Sequence, residues 1–174
     1  MQLSPRDEQA HDPDGPRTPT PHQMRDALAA FPTGVVLVTA EVDGQVAGLL
    51  ASSFTSVSLD PPLVSLSFAR TSTTWPLLQH AERWGISVLG EHHADTVPLL
   101  SRPATVRFEG IAPRPTPHGG LVLPGAPVTL TVTRFAEVDA GDHVLTLLRV
   151  LALDRDVAQS PLVIYDRAAR RIAA

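Results

Sequence analysis

Ser52, Ser53, Thr55, Ser56 and Ser58 put five hydroxyls into seven residues of the segment Ala51 to Pro62. That many hydroxyls cannot all satisfy one another, so such a segment offers hydroxyl and backbone N–H donors to a polar ligand. A solvated serine-rich turn would have the same composition. A second polar group, Arg70-Thr71-Ser72-Thr73-Thr74, stands where an apolar alternation ends and Pro76 marks a helix start. Ser72 or Thr73 could simply cap that helix. Arg70 beside a helix start is also a way to hold a phosphate.

The histidines divide into two cases. His92 and His93, with Asp95 close by, suggest a metal, but adjacent helical residues diverge by about 100°, so both cannot face one ion. No metal site is expected. His143, in Gly141-Asp142-His143, falls at a turn that opens a long strand, where Asp142 either orients the ring or only forms the turn. The chain has no Gly-x-Ser-x-Gly elbow, His-Glu-x-x-His pair, Gly-x-Gly-x-x-Gly fingerprint or P-loop. Hydrolase and doubly wound nucleotide-binding readings lose their usual support.

Composition narrows the chemistry further. With no Cys there are no thiolate nucleophiles, disulfides, iron–sulfur clusters or cysteine zinc sites. All 14 basic residues are Arg, so a lysine Schiff base is excluded. A net charge of -4 offers no basic footprint for nucleic acid. No apolar stretch approaches the ~20 residues of a membrane helix, and no apolar signal-peptide core follows Met1, so the expected compartment is the cytoplasm.

Several elements must position these groups. Residues 1–22 are rich in proline and poor in large apolar side chains, which predicts a disordered arm ahead of one domain spanning 23–174. Met24, Leu28 and Phe31 recur at helical spacing, and Phe31-Pro32-Thr33-Gly34 stops that helix. Val35 to Val38 and Val46 to Ala51 flank the turn signal Asp43-Gly44, which predicts a hairpin. The alternations Leu63 to Phe68 and Pro127 to Phe135 predict half-buried strands. Further strands are expected at Trp84 to Leu89, Thr105 to Ile111, Val144 to Leu153 and Leu162 to Tyr165, with short helices at Thr73 to Arg83 and His92 to Leu100 and a loop at Pro113 to Pro117. Many strands joined by tight turns, with only two or three short helices, predict a mainly β, antiparallel barrel of the Greek-key type.

The order of four segments carries a resemblance. Phe31-Pro32-Thr33-Gly34-Val35, then Gly48 through the serine-rich stretch to Pro62, then Gly141-Asp142-His143, then Pro161-Leu162-Val163-Ile164-Tyr165 together resemble the short-chain flavin reductase family, from about residue 24 to about residue 166. The resemblance implies an FMN-binding split β-barrel and a homodimer. It also implies FMN or FAD as the flavin, NADH or NADPH as electron donor, and a separate flavin-dependent monooxygenase as acceptor of reduced flavin.

Carried over by position, the resemblance puts Ala51, Ser52, Ser53, Ser56, Ser58 and Leu59 against the flavin ring and ribityl chain. Thr33 and Gly34 would lie near the ring, Arg70, Ser72 and Thr73 at the phosphate, and His143 on the nicotinamide side. The chain departs from the family pattern in four places. Leu50 stands where Thr is usual and Ser87 where Asn is frequent, and the residues after Tyr165 lack the usual Gly and second aromatic. Asp95 to Arg107, resembling a helical cover over the nicotinamide site, is short and carries Pro98 and Pro103. These departures keep open a flavin-binding barrel without reductase activity, either an accessory carrier or a repurposed biosynthetic enzyme.

Overall fold

The computed structural model of the chain describes residues 18–172. Most of the expected arm lies outside them. Helix α1 (Pro21–Leu28) begins within the span given to the arm, because Thr20 and Gln23 form a reciprocal cap. The Thr20 hydroxyl accepts the Gln23 amide at 3.2 Å, and the Gln23 side chain accepts the Thr20 amide at 2.9 Å.

The chain then runs through β1 (Thr33–Gly34), the hairpin β2 (Val36–Val42) and β3 (Gln45–Ala51), and the hairpin β4 (Thr55–Leu59) and β5 (Pro62–Ala69). Helix α2 (Trp75–His80) leads into β6 (Trp84–Val88). A 3-10 turn at Glu91–Thr96 and α3 (Val97–Leu100) follow, then the short pair β7 (Arg114–Pro115) and β8 (Leu121–Val122). The long strands β9 (Val128–Ala140) and β10 (His143–Arg155) precede the small hairpin β11 (Val163–Tyr165) and β12 (Ala168–Arg170). Seven strands form one antiparallel sheet in the order β3-β2-β6-β9-β10-β5-β4, leaving β3 and β4 as edges. A mainly β, antiparallel barrel with three helices is what the sequence patterning predicts.

Two apolar clusters explain why β2 reads as an unbroken run. Val36, Val38 and Ala40 face a core shared with Val64, Leu66, Phe68, Ile86, Val132 and Leu148. Val35 and Leu37 face a second cluster with Leu89, Leu100, Leu123 and Leu162. A strand buried on both faces loses the alternation of a half-buried one. Inside the main core, Phe68 and Trp75 stack with centroids 4.2 Å apart, and Trp84 meets both edge-on. The Trp84 indole donates to Leu78 O at 2.9 Å, so its one polar group is satisfied. Gly85 is the residue that allows β8 to approach, since a Cβ there would lie 1.6 Å from Leu121 O.

Three expectations are corrected. The hydroxyl-rich segment is a loop only at Ser52–Phe54; from Thr55 to Leu59 it is the edge strand β4, mostly exposed, whose backbone pairs with β5. Thr105 to Ile111 is not a strand but a succession of tight turns, in which the Val106 amide donates to Pro103 O, Glu109 to Val106 O and Ile111 to Phe108 O. Arg107 fastens them to the barrel by donating to Gly48 O and, at 3.1 Å, to Thr74 Oγ1. Pro113 to Pro117, expected as loop, contributes the two residues of β7.

Candidate functional site

Two cavities meet at one end of the barrel. The larger, of about 960 Å³, lies between α1 and the Phe31 to Gly34 corner on one side and the Ser52 to Thr55 loop on the other. The smaller, of about 320 Å³, is walled by Leu49 to Ser53 on β3, Ser67 to Ala69 on β5, and Ser72. Ser52, Ser53 and His143 line both. The dividing wall is therefore a polar loop on one strand end and an imidazole on another.

The loop is held from behind. Ser53 Oγ accepts the Ser67 amide at 3.0 Å and donates to Ser67 O at 3.3 Å, which ties the loop to β5. Its hydroxyl is thereby engaged in positioning the loop. Gly34 opens onto the larger cavity, because a Cβ added there would meet nothing within 4 Å. It is registered against Val163 of β11, and Thr33 against Ile164.

His143 begins β10, immediately after the Gly141-Asp142 turn. Its Nδ1 lies 2.7 Å from Asp142 Oδ1. That contact holds the Asp142 carboxyl below the usual carboxylate range, hydrogen bonding and charge attraction from His143 acting in the same direction. Arg70 buttresses the turn: its amide donates to Asp142 O at 2.9 Å, its Nε donates to Gly141 O at 3.3 Å, and its guanidinium pairs with Asp139. Ser72 Oγ accepts the Thr74 amide at 3.3 Å and the Trp75 amide at 3.1 Å and so steadies the entry to α2, whose N-cap residue Thr74 makes no side-chain capping bond.

Of the residues singled out in the sequence, Thr33, Gly34, Ser52, Ser53 and His143 line the larger cavity, and Ala51 and Ser72 the smaller. Arg70 and Thr73 sit at the β5–α2 junction without lining either. Ser56, Ser58 and Leu59 lie along β4 and line neither. Sequence reasoning missed α1 as a cleft wall, although the helical spacing of Met24 and Leu28 was legible and both residues line it.

The pattern of the flavin reductase like domain matches residues 28–173. The chain belongs to the flavin reductase family. It is 37% identical over 145 residues to the actinorhodin polyketide dimerase of Streptomyces coelicolor, covering 83% of this chain and 82% of that one. It is 32% identical over 146 residues to a flavin reductase of Pseudomonas putida, covering 83% of this chain and 86% of that one. Among solved structures, the NADH:FAD oxidoreductase of Streptomyces globisporus C-1027, in complex with NAD and FAD fragments, superposes with a TM-score of 0.81 at 27% identity, over 87% of this chain and 92% of that one.

The departures of this flavin reductase family member now have physical readings. Leu50 lines the smaller cavity and adds apolar wall where a hydroxyl is usual. Ser87 is fully buried and accepts the Leu123 amide at 2.8 Å, so it serves the β6–β8 packing and not the cleft. Asp95 to Arg107 lines neither cavity, and α1 occupies the side of the larger one.

Proposed function

We propose that this chain is an NADH-dependent flavin reductase that supplies reduced FMN or FAD to a partner monooxygenase. The observation that carries the reading is the meeting of two cavities at Ser52, Ser53 and His143, which suits two ring systems brought face to face. The fit with a flavin rests on the polar lining and the space: the serine loop at the junction, tied to β5 through Ser53, and open room over Gly34. A bound flavin supplies a hydride acceptor at N5, reached directly from nicotinamide C4.

The protein's part is positioning. Ala51, Ser52 and Ser53 present backbone donors to the rim of the flavin ring, Thr33 and Gly34 leave space beside it, and Ser72 and Thr73 with Arg70 lie on the side of its phosphate. Arg70 would share its guanidinium between that phosphate and Asp139. Ser56, Ser58 and Leu59, along β4 and outside both cavities, have no part in holding the ring. His143, held through Nδ1 by Asp142, presents its other ring nitrogen to the nicotinamide or to a proton leaving the site.

Homologous reductases named as components of trigonelline monooxygenase and styrene monooxygenase support a two-component arrangement. Relatives named as NADH-dependent support NADH over NADPH. The unpaired edge of β4, with Leu59 92% exposed and Val57 also exposed, supports a homodimer formed across that edge. Among the described residues no helix is long and apolar enough to cross a membrane. A cytoplasmic enzyme with one catalytic domain that takes in α1 completes the proposal.

Similarity to a protein named polyketide dimerase favours a second reading, in which the cleft serves a biosynthetic substrate. Oxidation of NADH and of NADPH by the purified protein, with FMN or FAD added, decides between them. Turnover with either flavin supports the reductase. Tight flavin binding with no nucleotide oxidation supports the second reading.

A further inference from the structure

The larger cavity has a charged rim. Arg25 on α1 and Arg167 in the β11–β12 turn both line it. Arg167 pairs with Asp26, whose other carboxylate oxygen lies 2.8 Å from His22 Nδ1. Arg25 forms no ion pair with any described residue. The mouth therefore carries one guanidinium without an ion pair among the described residues and a second held in place by a carboxylate.

The turn that presents Arg167 is unusual. Asp166 and Arg167 have φ of 49° and 60°, both left-handed, where glycine would be free of strain. This is the place where the chain departs from the family's usual Gly. The strained turn is fixed by the Asp166 amide, which donates to Ala29 O at 2.9 Å just past α1. An arginine kept at such a φ, and locked onto the helix that carries Arg25, points to a use for the charge.

We infer that Arg25, together with Arg167, holds a phosphate of the nicotinamide donor, so that α1 is a specificity-determining wall of the reductase. The inference rests on the flavin reductase reading above. The donor is favoured over the flavin because the flavin phosphate is already given to Arg70, Ser72 and Thr73 at the β5–α2 junction, and Arg25 and Arg167 line the larger cavity with none of those three. Arg25 also acts across the cleft: the Asp142 carboxyl, depressed mainly by His143, is depressed slightly more by the Arg25 charge. A guanidinium suits this task because it meets phosphate oxygens through paired N–H donors.

The test is titration of the flavin-loaded chain with NAD⁺ and with nicotinamide riboside, which lacks phosphate, alongside titration of the flavin-free chain with FMN and with riboflavin. In Arg25→Ala, NAD⁺ binding weakens about tenfold. Riboside, FMN and riboflavin bind as in the parent, and Arg25→Lys recovers part of the loss. Equal weakening of NAD⁺ and the riboside would mean a damaged wall and overturn the inference, as would unchanged NAD⁺ binding. A loss confined to FMN against riboflavin moves the phosphate to the flavin and also overturns it. If the parent binds neither flavin nor NAD⁺, the reductase reading itself fails; if the parent binds both and Arg25→Ala changes nothing, only this inference does.

Discussion

Ser53 and Ser67 are bound to each other twice, the Ser53 hydroxyl accepting the Ser67 amide at 3.0 Å and donating to its carbonyl at 3.3 Å. A side chain that could have served a ligand thus fixes the loop whose backbone faces the cleft. Ser53→Ala releases the loop and raises the Kd for FMN about fivefold, roughly 1 kcal/mol. Ser53→Phe, which fills the junction, weakens binding further. Fluorescence titration of FMN checks both, and parent-like affinity in Ser53→Phe would refute the placement of the flavin.

His143 stands between the two cavities and its ring is oriented by Asp142. His143→Ala lowers kcat/KM for NADH by about 10²-fold through lost positioning, with a smaller effect on flavin affinity. Asp142→Asn gives an intermediate loss. Because the Asp142 carboxyl is depressed, it keeps its charge until the pH falls through that lowered value, so the contact persists down through the ordinary carboxylate range. A pH profile of kcat/KM in which the parent loses activity only below the ordinary carboxylate range, with that acid limb absent from Asp142→Asn, would agree.

His93 gives the fold an acid-side weakness. Its Nδ1 accepts the Gly90 amide at 3.0 Å and its Nε2–H donates to Pro124 O at 3.1 Å, which fixes the neutral ring. Burial holds it below its ordinary value of 6.5, outweighing the bond to Pro124. Below 6.5 the unfolded chain takes up a proton that the folded chain resists, so stability falls as the pH drops through that window and is level above it. Urea denaturation across this range shows the slope in the parent and its absence in His93→Gln.

Thr146 carries a buried hydroxyl with no hydrogen-bond partner, on β10 between Val144 and Leu148, which belong to the main core. Thr146→Val keeps the shape and removes the unsatisfied group. It stabilises the chain by about 1 kcal/mol in denaturant titration.

Much of this architecture was legible because β strands announce themselves by alternation, as Leu63 to Phe68 did, although Leu63 to Leu66 are buried on both faces and not half-buried as the alternation implied. The serine-rich stretch was legible as chemistry but not as structure. Hydroxyls on an edge strand have the composition of a loop, and only the pairing with β5 distinguishes them. Val106 and Phe108 imitate strand alternation, while the segment is in fact pinned by the long-range bonds of Arg107. The cleft wall formed by α1 depends on contacts between Asp26 and Arg167, which are 141 residues apart, and on a turn at Asp166 and Arg167 that has no glycine to mark it. Neither periodicity nor spacing carries such information.

The most direct measurement mixes the flavin-loaded chain with NADH in the absence of oxygen and follows the visible absorbance of the flavin. The account predicts rapid bleaching in the parent, slowed about 10²-fold in His143→Ala. A parent that holds flavin and leaves it oxidised in the presence of NADH would contradict it.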